Sequence, residues 1–158
     1  MTEPATSGGG PTQVLLDLLG DWAGTGWACA GAGAGRAPLE QTETVRRHLD
    51  GSLLTVEGQG SAAGRVVHRA FAVISCDDQH RGWRWTAYVP GGRTDTDLEL
   101  YGNGFGWTLH DDSAGQTRFR AVVTGKQWRE TGHRRQPDGT WTPVFAMDLR
   151  RLGSTLRS

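Results

Sequence analysis

The sequence lacks any long hydrophobic run, and it contains only two cysteines. No apolar stretch reaches the length that a membrane-spanning helix needs. The first residues, Met1 to Pro11, are small, polar and rich in glycine, without the basic and apolar regions of a signal peptide. We therefore expect a cytoplasmic protein in which Cys29 and Cys76 remain free thiols.

An excess of charge of either sign is also missing. The 17 basic residues are balanced by 17 acidic ones, so neither nucleic acid nor a membrane surface is an expected partner. The five histidines show no short ligand spacing, which argues against a zinc site. The acidic run Asp95–Glu99 faces Arg84 in a predicted hairpin and is interpreted as a solvated outer face. We expect no metal site.

Helical segments are nearly absent. One short helix is predicted between a capping Thr12 and Gly20. From Trp22 onward, strands and turns alternate with a spacing of roughly 8–12 residues. A parallel sheet would need helical crossovers, so this pattern predicts an antiparallel barrel or sandwich. The predicted strands are 22–29, 39–49, 52–59, 65–76, 82–89, 93–101, 105–110, 116–123, 126–135 and 140–151.

The length of 158 residues fits a single domain. We place this domain at 12–152, after a disordered tail at 1–11 and before a flexible tail at 153–158.

A predicted hairpin around Gly91-Gly92 distinguishes the two faces of the sheet. It pairs Arg84 with Glu99 on one face and Trp85 with Leu98 on the other. Ion pairs on one side and aromatic residues on the other indicate that the tryptophan side faces inward. The inward rows then carry Trp22, Trp83, Trp85, Trp107 and Trp128.

The segment Thr117–Leu149 places a carboxylate on an apolar wall. A turn at Thr124-Gly125 puts Phe119 opposite Glu130, and the next turn puts Glu130 opposite Met147. A buried carboxylate without a partner is costly, so Glu130 is paired, protonated or present for a ligand. The predicted inner face comprises Phe119, Ala121, Trp128, Glu130, Phe145, Met147 and Leu149.

Two further charged residues face inward in the hairpin around Asp50-Gly51. This type I′ turn signal places Glu43 opposite Gly58 and Arg47 opposite Leu54. One interpretation is an Arg–Glu pair that closes the barrel base. The other is a polar anchor at one end of an aromatic pocket.

The strand at 65–76 has two plausible inner rows, and the length of the following turn decides between them. One row contains Val67, Arg69, Phe71 and Val73, and the other contains His68, Ala70, Ala72 and Ile74. Both His68 and Arg69 are therefore candidate ligand-binding residues.

The first strand resembles that of a known barrel family. The segment Leu18–Gly26, with its Gly20-x-Trp22 signature, resembles the opening of the nitrobindin-like calycin barrels and of related bacterial lipocalin-like domains. This resemblance extends loosely over residues 12–152. It implies an all-β, calycin-like antiparallel barrel of about ten strands, preceded by a short helix.

The resemblance also implies that one end of the barrel is closed, and it raises the possibility of haem binding. Trp22 would plug one end of the barrel, covered by Arg150 or Arg151. Nitrobindins bind haem through a histidine near the C-terminus, and this chain has no histidine after His133. We therefore expect no haem and no other cofactor.

Two classes of function fit this barrel. The first is binding of a small, largely hydrophobic or aromatic molecule. The second is an enzyme, a cyclase or isomerase of secondary metabolism, with Glu130 and Glu43 as acid–base carboxylates and Arg47 orienting the substrate. The sequence specifies neither the ligand nor an oligomeric state. The candidate ligand-binding residues are Arg47, His68, Arg69, Trp83, Trp85, Trp107, Phe119, Trp128, Phe145 and Met147.

Overall fold

The computed structural model describes residues 13–29, 35–77, 82–111 and 115–153. The predicted tails lie outside these ranges, apart from Gly153, and so do Thr12 and most of the turn after residue 77. Within these ranges no helix is long and apolar enough to cross a membrane. The elements are α1 Gln13–Asp17, β1 Gly20–Cys29, β2 Arg36–His48, β3 Leu53–Ala62, β4 Arg65–Asp77, β5 Gly82–Val89, β6 Gly92–Tyr101, β7 Gly104–Asp111, β8 Gly115–Val123, β9 Gln127–Arg135 and β10 Trp141–Arg151.

The ten strands form one closed antiparallel barrel. Each strand pairs with its neighbours in sequence, and β1 pairs with β10 to close the wall. A 3₁₀ turn, Leu49–Gly51, connects β2 to β3. The predicted fold class is therefore confirmed.

Two predicted registers are confirmed and two are wrong by two residues. Glu43 lies opposite Gly58, and Glu130 lies opposite Met147, as the turn signals indicated. In contrast, Trp85 lies opposite Thr96 instead of Leu98, because the β5–β6 turn is Pro90-Gly91. Proline cannot donate a ladder hydrogen bond, which favours its place in the turn.

The same error occurs between β8 and β9. The backbone N–H of Thr124 donates to the carbonyl of Gln127 over 2.8 Å, so the turn lies one residue later than predicted. Ala121 is therefore the partner of Glu130, and Phe119 pairs with Gly132. A slip of two residues keeps every side chain on its predicted face, because side chains alternate with a period of two.

Helix α1 closes one end of the barrel together with Trp22 of β1 and Arg151 of β10. The indole of Trp22 is fully buried and donates to the carbonyl of Leu18 over 2.8 Å. The Arg151 guanidinium lies 4.3 Å from the Trp22 ring centroid and donates to the carbonyls of Asp17 and Leu19. Arg151, and not Arg150, is thus the covering arginine that the lipocalin-like signature implied.

The core fills the half of the barrel nearest this closed end. Its largest fully buried side chains are Trp22, Trp128, Phe105, Leu15, Leu18, Ile74, Leu149, Val14, Val45 and Val123. Residues of the opposite half, which we call the open half, are less buried, so the closed end provides most of the hydrophobic stabilisation.

One ladder of the wall is short. β6 and β7 pair only through Glu99–Tyr101 and Gly104–Gly106. Further along, the Thr96 hydroxyl donates to the carbonyl of Thr108 over 3.1 Å. A groove of about 200 Å³ lies where the strands separate. We call this separation the β6–β7 seam.

Candidate functional site

Glu43 points into the barrel from β2 and is packed among polar and glycine neighbours. Its side chain is 9% exposed. The Gln41 amide donates to Glu43 Oε1 over 2.7 Å. On the other side, a Cβ atom on Gly58 would lie only 2.7 Å from Glu43 Oε1. The absence of a side chain at Gly58 is therefore what leaves room for this carboxyl group.

Glu130 points inward from β9, between Ala121 of β8 and Met147 of β10. It is 7% exposed, and its Oε1 atom has no hydrogen-bond partner among the described residues. The indole Nε1 of the buried Trp128 also has no partner that satisfies hydrogen-bond geometry. Unsatisfied buried polar atoms are rare in folded proteins and often mark a water or ligand position.

The electrostatics of the two carboxyl groups follow from their burial. Desolvation raises the pKa of Glu43 to about 7, although the hydrogen bond from Gln41 opposes this. Desolvation also raises the pKa of Glu130 well above its usual value. The charge of Glu43 raises the pKa of Glu130 further, and the nearby Trp128 N–H lowers it. The two groups are therefore close enough to influence each other's ionisation.

Arg47 does not neutralise either glutamate. It belongs to the same row of β2 as Glu43, but it lies at the strand end and is exposed. Its guanidinium donates to the carbonyl of Asp50 over 3.3 Å, within the turn. The predicted Arg–Glu pair at the barrel base is therefore wrong, because a long side chain at a strand end can turn back to solvent and to its own turn.

A group of aromatic side chains, which we call the aromatic wall, shares the inner face of the barrel with this acid pair. The Trp85 and Trp107 rings are stacked, with centroids 4.0 Å apart and planes at 17°. Phe119 stacks on Trp107 at 5.1 Å, and Phe145 contacts Phe119 edge-on at 6.0 Å. The structure thus brings together the predicted lining residues of β7, β8 and β10. Trp83 faces inward between Cys76 and Leu98 and packs on the core.

The opposite wall carries very small side chains. The register places the row of His68 and Ala70 inside, because Ala70 faces Gly58 and His68 faces Gly60. Residues without bulk on the inward rows of β1, β3 and β4 include Gly24, Gly26, Ala28, Gly58, Gly60, Ala70 and Ala72. At Gly58 and Gly60 the missing side chains make room for Glu43 and Gln41, and at Gly24 and Gly26 they allow the backbone of β10 to approach closely.

The two candidates on β4 therefore have different positions. His68 is on the inward row at the open end, where it is exposed. Arg69 is on the outer face, where it lines a groove of about 460 Å³ with Phe71 and Tyr88. The interpretation of Arg69 as a residue of the barrel interior is wrong. The outer groove contains neither Glu43 nor Glu130.

Sequence reasoning missed two inward polar residues. Gln41 belongs to the row of Glu43 and touches it directly, and the same alternation could have identified it. Arg134 belongs to the row of Glu130 and lies at the open end, opposite Thr117. It supplies positive charge at the barrel mouth, which we define as the inward residues at the open end, where His68 also lies.

Metal chemistry finds no support in this geometry. No group of three or more His, Cys, Asp or Glu side chains that could hold a metal ion occurs in the described ranges. The Asp95–Glu99 run lies on the outer wall, where Arg84 binds Asp95 at 2.7 Å and Asp97 at 2.5 Å. The interior instead offers two proton-binding groups beside an aromatic surface.

Two solved structures share the architecture. Rv2717c from M. tuberculosis matches with a TM-score of 0.67 and 16% identity, over 92% of this chain and 99% of that chain. A protein of unknown function from the DUF3598 family of Nostoc punctiforme PCC 73102 matches with a TM-score of 0.51 and 11% identity. The match covers 87% of this chain and 49% of that one, so this chain spans about half its length. No protein-family model and no curated protein matches the sequence. The structural likeness shows a fold that fits the calycin-like barrels.

Proposed function

We propose that this barrel binds a small, largely hydrophobic or aromatic molecule in its open half, with the polar end of the molecule at Glu43 and Glu130. The observation that carries this proposal is the pair of unsatisfied buried atoms, Glu130 Oε1 and Trp128 Nε1. A protein gains no stability from leaving these groups unpaired. Ligand pockets place a few such polar groups in a mainly apolar lining to fix orientation.

The lining supports the same proposal. Phe119, Phe145 and Leu109 point inward from the open half and are only partly buried. Partial exposure of inward apolar residues indicates that solvent reaches this part of the interior. An apolar ligand would cover that surface and release its water, which stabilises the complex by about 25 cal/mol per Å² of apolar surface.

The test is titration with the neutral fluorophore N-phenyl-1-naphthylamine, with a matched pair of variants. Ala70→Phe fills the interior, whereas Arg69→Phe adds the same ring to the adjacent position on the outer face. We expect saturable one-to-one binding by the wild type and Arg69→Phe, and a loss of binding in Ala70→Phe. Equal binding by both variants, or no saturable binding by the wild type, would contradict the proposal.

A second candidate is acid–base catalysis in the same pocket, as in a cyclase or isomerase of secondary metabolism. It is favoured by the pKa of Glu43, which burial raises to about 7 and so into the range of an effective proton carrier. The test is exchange of the α-hydrogens of 2-tetralone in D₂O, followed by NMR. An exchange rate equal to that of Glu43→Gln and Glu130→Gln variants would rule this candidate out.

We further propose that the barrel is nitrobindin-like in architecture only, that it needs no haem or other cofactor, and that it acts in the cytoplasm. The departure from the haem-binding pattern supports the first part, since no histidine follows His133. The unpaired Cys29 and Cys76 support a reducing compartment. The balanced charge argues against nucleic acid and membrane surfaces as partners.

A further inference from the structure

Each of the two buried carboxyl groups has a neutral N–H donor beside it. Gln41 presents an amide N–H to Glu43, and Trp128 presents an indole N–H towards Glu130. Both donate in these contacts, which favours the carboxylate and opposes the desolvation that raises the pKa of each group. Desolvation outweighs these two donors, so a cation is the partner that both groups lack for full ionisation.

In the described part of the chain, no cationic side chain forms a salt bridge with either carboxyl group. Among the described residues, Arg47 turns to the carbonyl of Asp50, and Arg151 is engaged by the carbonyls of Asp17, Leu19 and Gly125 at the closed end. Arg134 and His68 lie at the mouth. Arg134 is four residues beyond Glu130 on the same strand, which corresponds to about 13 Å along β9.

The Trp128 indole gives a further indication of a ligand, because its N–H lies near Glu130 without forming a hydrogen bond of good geometry. Its side chain is 2% exposed, and Nε1 lacks a partner in the described part of the chain. An indole N–H in this position can complete its bond only by movement of Glu130 or by arrival of another acceptor. A group that pulls the Glu130 carboxylate into a defined position would satisfy both atoms together.

From this geometry, and building on the proposed function, we infer that the ligand carries a basic nitrogen. A protonated amine or amidinium on an aromatic or apolar body would act as the counter-ion of Glu43 and Glu130. The ammonium group donates to both carboxylates, and its apolar body lies against Trp85, Trp107 and Phe119. Aromatic faces add a favourable cation–π contribution for a desolvated cation.

The test compares three ligands that share one ring system and differ in charge. They are 1-naphthylmethylamine, 1-naphthalenemethanol and 1-naphthoate, each titrated by calorimetry at pH 7.5 into the wild-type protein. We expect the amine to bind at least about tenfold more tightly than the alcohol, and the acid to bind most weakly. Equal affinities of amine and alcohol would overturn the inference, even if both bind.

Variants locate the charge preference. In the double variant Glu43→Gln/Glu130→Gln, the ratio between amine and alcohol should fall to about one while the alcohol still binds. Glu57→Gln is the matched control, because it removes an exposed carboxylate from the outer face of β3. An unchanged ratio in the double variant would place the amine elsewhere and overturn the inference. Binding of none of the three ligands would instead contradict the proposed pocket itself.

Discussion

Arg151 lies over the indole of Trp22, with its guanidinium carbon 4.3 Å from the ring centroid. Its N–H groups also donate to the carbonyls of Asp17 and Leu19, and Nε donates to Gly125 over 2.8 Å. One side chain from the last strand therefore joins the helix, the first strand and the β8–β9 turn. Gly20 makes this approach possible, because a Cβ there would lie 2.8 Å from Arg151 Nη1.

This contact predicts a large loss of stability for Arg151→Ala. The change removes a stacked cation and leaves the carbonyls of the closed end without donors, so we expect a loss of about 2–4 kcal/mol. The thermal midpoint should fall by roughly 5–10 °C. Arg150→Ala is the control, because Arg150 is exposed and next in sequence. Equal midpoints for the two variants would show that the covering contact does not stabilise the barrel.

Replacing Glu130 by leucine should stabilise the empty protein. Its carboxyl group has no cationic partner among the residues that the structure describes, so leucine removes a desolvation cost and adds apolar contact, with an expected gain of about 1–3 kcal/mol. Glu130→Gln should retain the fold and the stability. Chemical denaturation of both variants measures these changes.

Arg47→Met gives the complementary measurement. Because Arg47 is exposed and binds its own turn, we expect a change within about 0.5 kcal/mol, alone or combined with Glu130→Gln. If the two residues formed a buried pair, Glu130→Gln would instead cost about 3–5 kcal/mol, and Arg47→Met would rescue it. Such a rescue is the result that would end the ligand-anchor interpretation.

The buried acid pair predicts a decrease in stability as pH rises. The folded-state pKa of Glu43 is about 7, above its unfolded value, so the folded state binds the extra proton. The stabilisation is therefore complete below the unfolded pKa of about 4.3 and is lost as pH rises to about 7. The loss is on the order of 3 kcal/mol for Glu43, and the raised pKa of Glu130 adds a loss in the same direction.

Melting curves between pH 5 and 8 test this dependence. His68 acts in the opposite direction, because partial desolvation of its imidazole lowers its pKa, although the residue as a whole is exposed. The double variant Glu43→Gln/Glu130→Gln retains this histidine and isolates the acid pair. We expect its stability to depend less steeply on pH than that of the wild type. Parallel curves would refute the assignment.

Haem should not form a specific complex. His68 is the inward histidine of β4, but it is exposed at the mouth, and the described strands hold no group of three or more His, Cys, Asp or Glu side chains around a common site. We expect no stoichiometric Soret shift on addition of haem, and no difference between the wild type and His68→Ala. A tight one-to-one complex that His68→Ala abolishes would contradict this expectation.

The sequence predicted the strands and the direction of their side chains because alternation records burial directly. The strand register was predicted wrongly where the turn had two neighbouring possible positions, as at Pro90-Gly91 and Gly91-Gly92. A turn that moves by one residue shifts the pairing of its two strands by two residues. It could not decide the row of β4, because Val67 and Phe71 are apolar yet lie outside at 58% and 39% exposure. The inner row there contains His68 and two alanines, Ala70 and Ala72, and alanine gives only a weak hydrophobic signal.

The sequence predicted the two acids of the candidate site, but it did not show that Arg47 would leave them without a salt bridge. Glu43 and Glu130 were recognised as polar interruptions of apolar rows. Arg47 lies on the same row as Glu43, but it is at the end of β2, where its side chain binds the carbonyl of Asp50 in the turn instead of pointing into the barrel. The separation of Arg47 from the two acids therefore depends on the path of the chain in three dimensions, which residue alternation does not record.

The β6–β7 seam is the part of the barrel wall with the shortest strand pairing, and it should separate more easily than the other ladders. Backbone groups of residues 92–98 and 107–111 that face one another across this opening lack strand partners. Their amide hydrogens should exchange with deuterium sooner than those of β9 and β10. A local parting of these two strands costs few backbone bonds, so this part of the wall should open more often than the end that Trp22 closes.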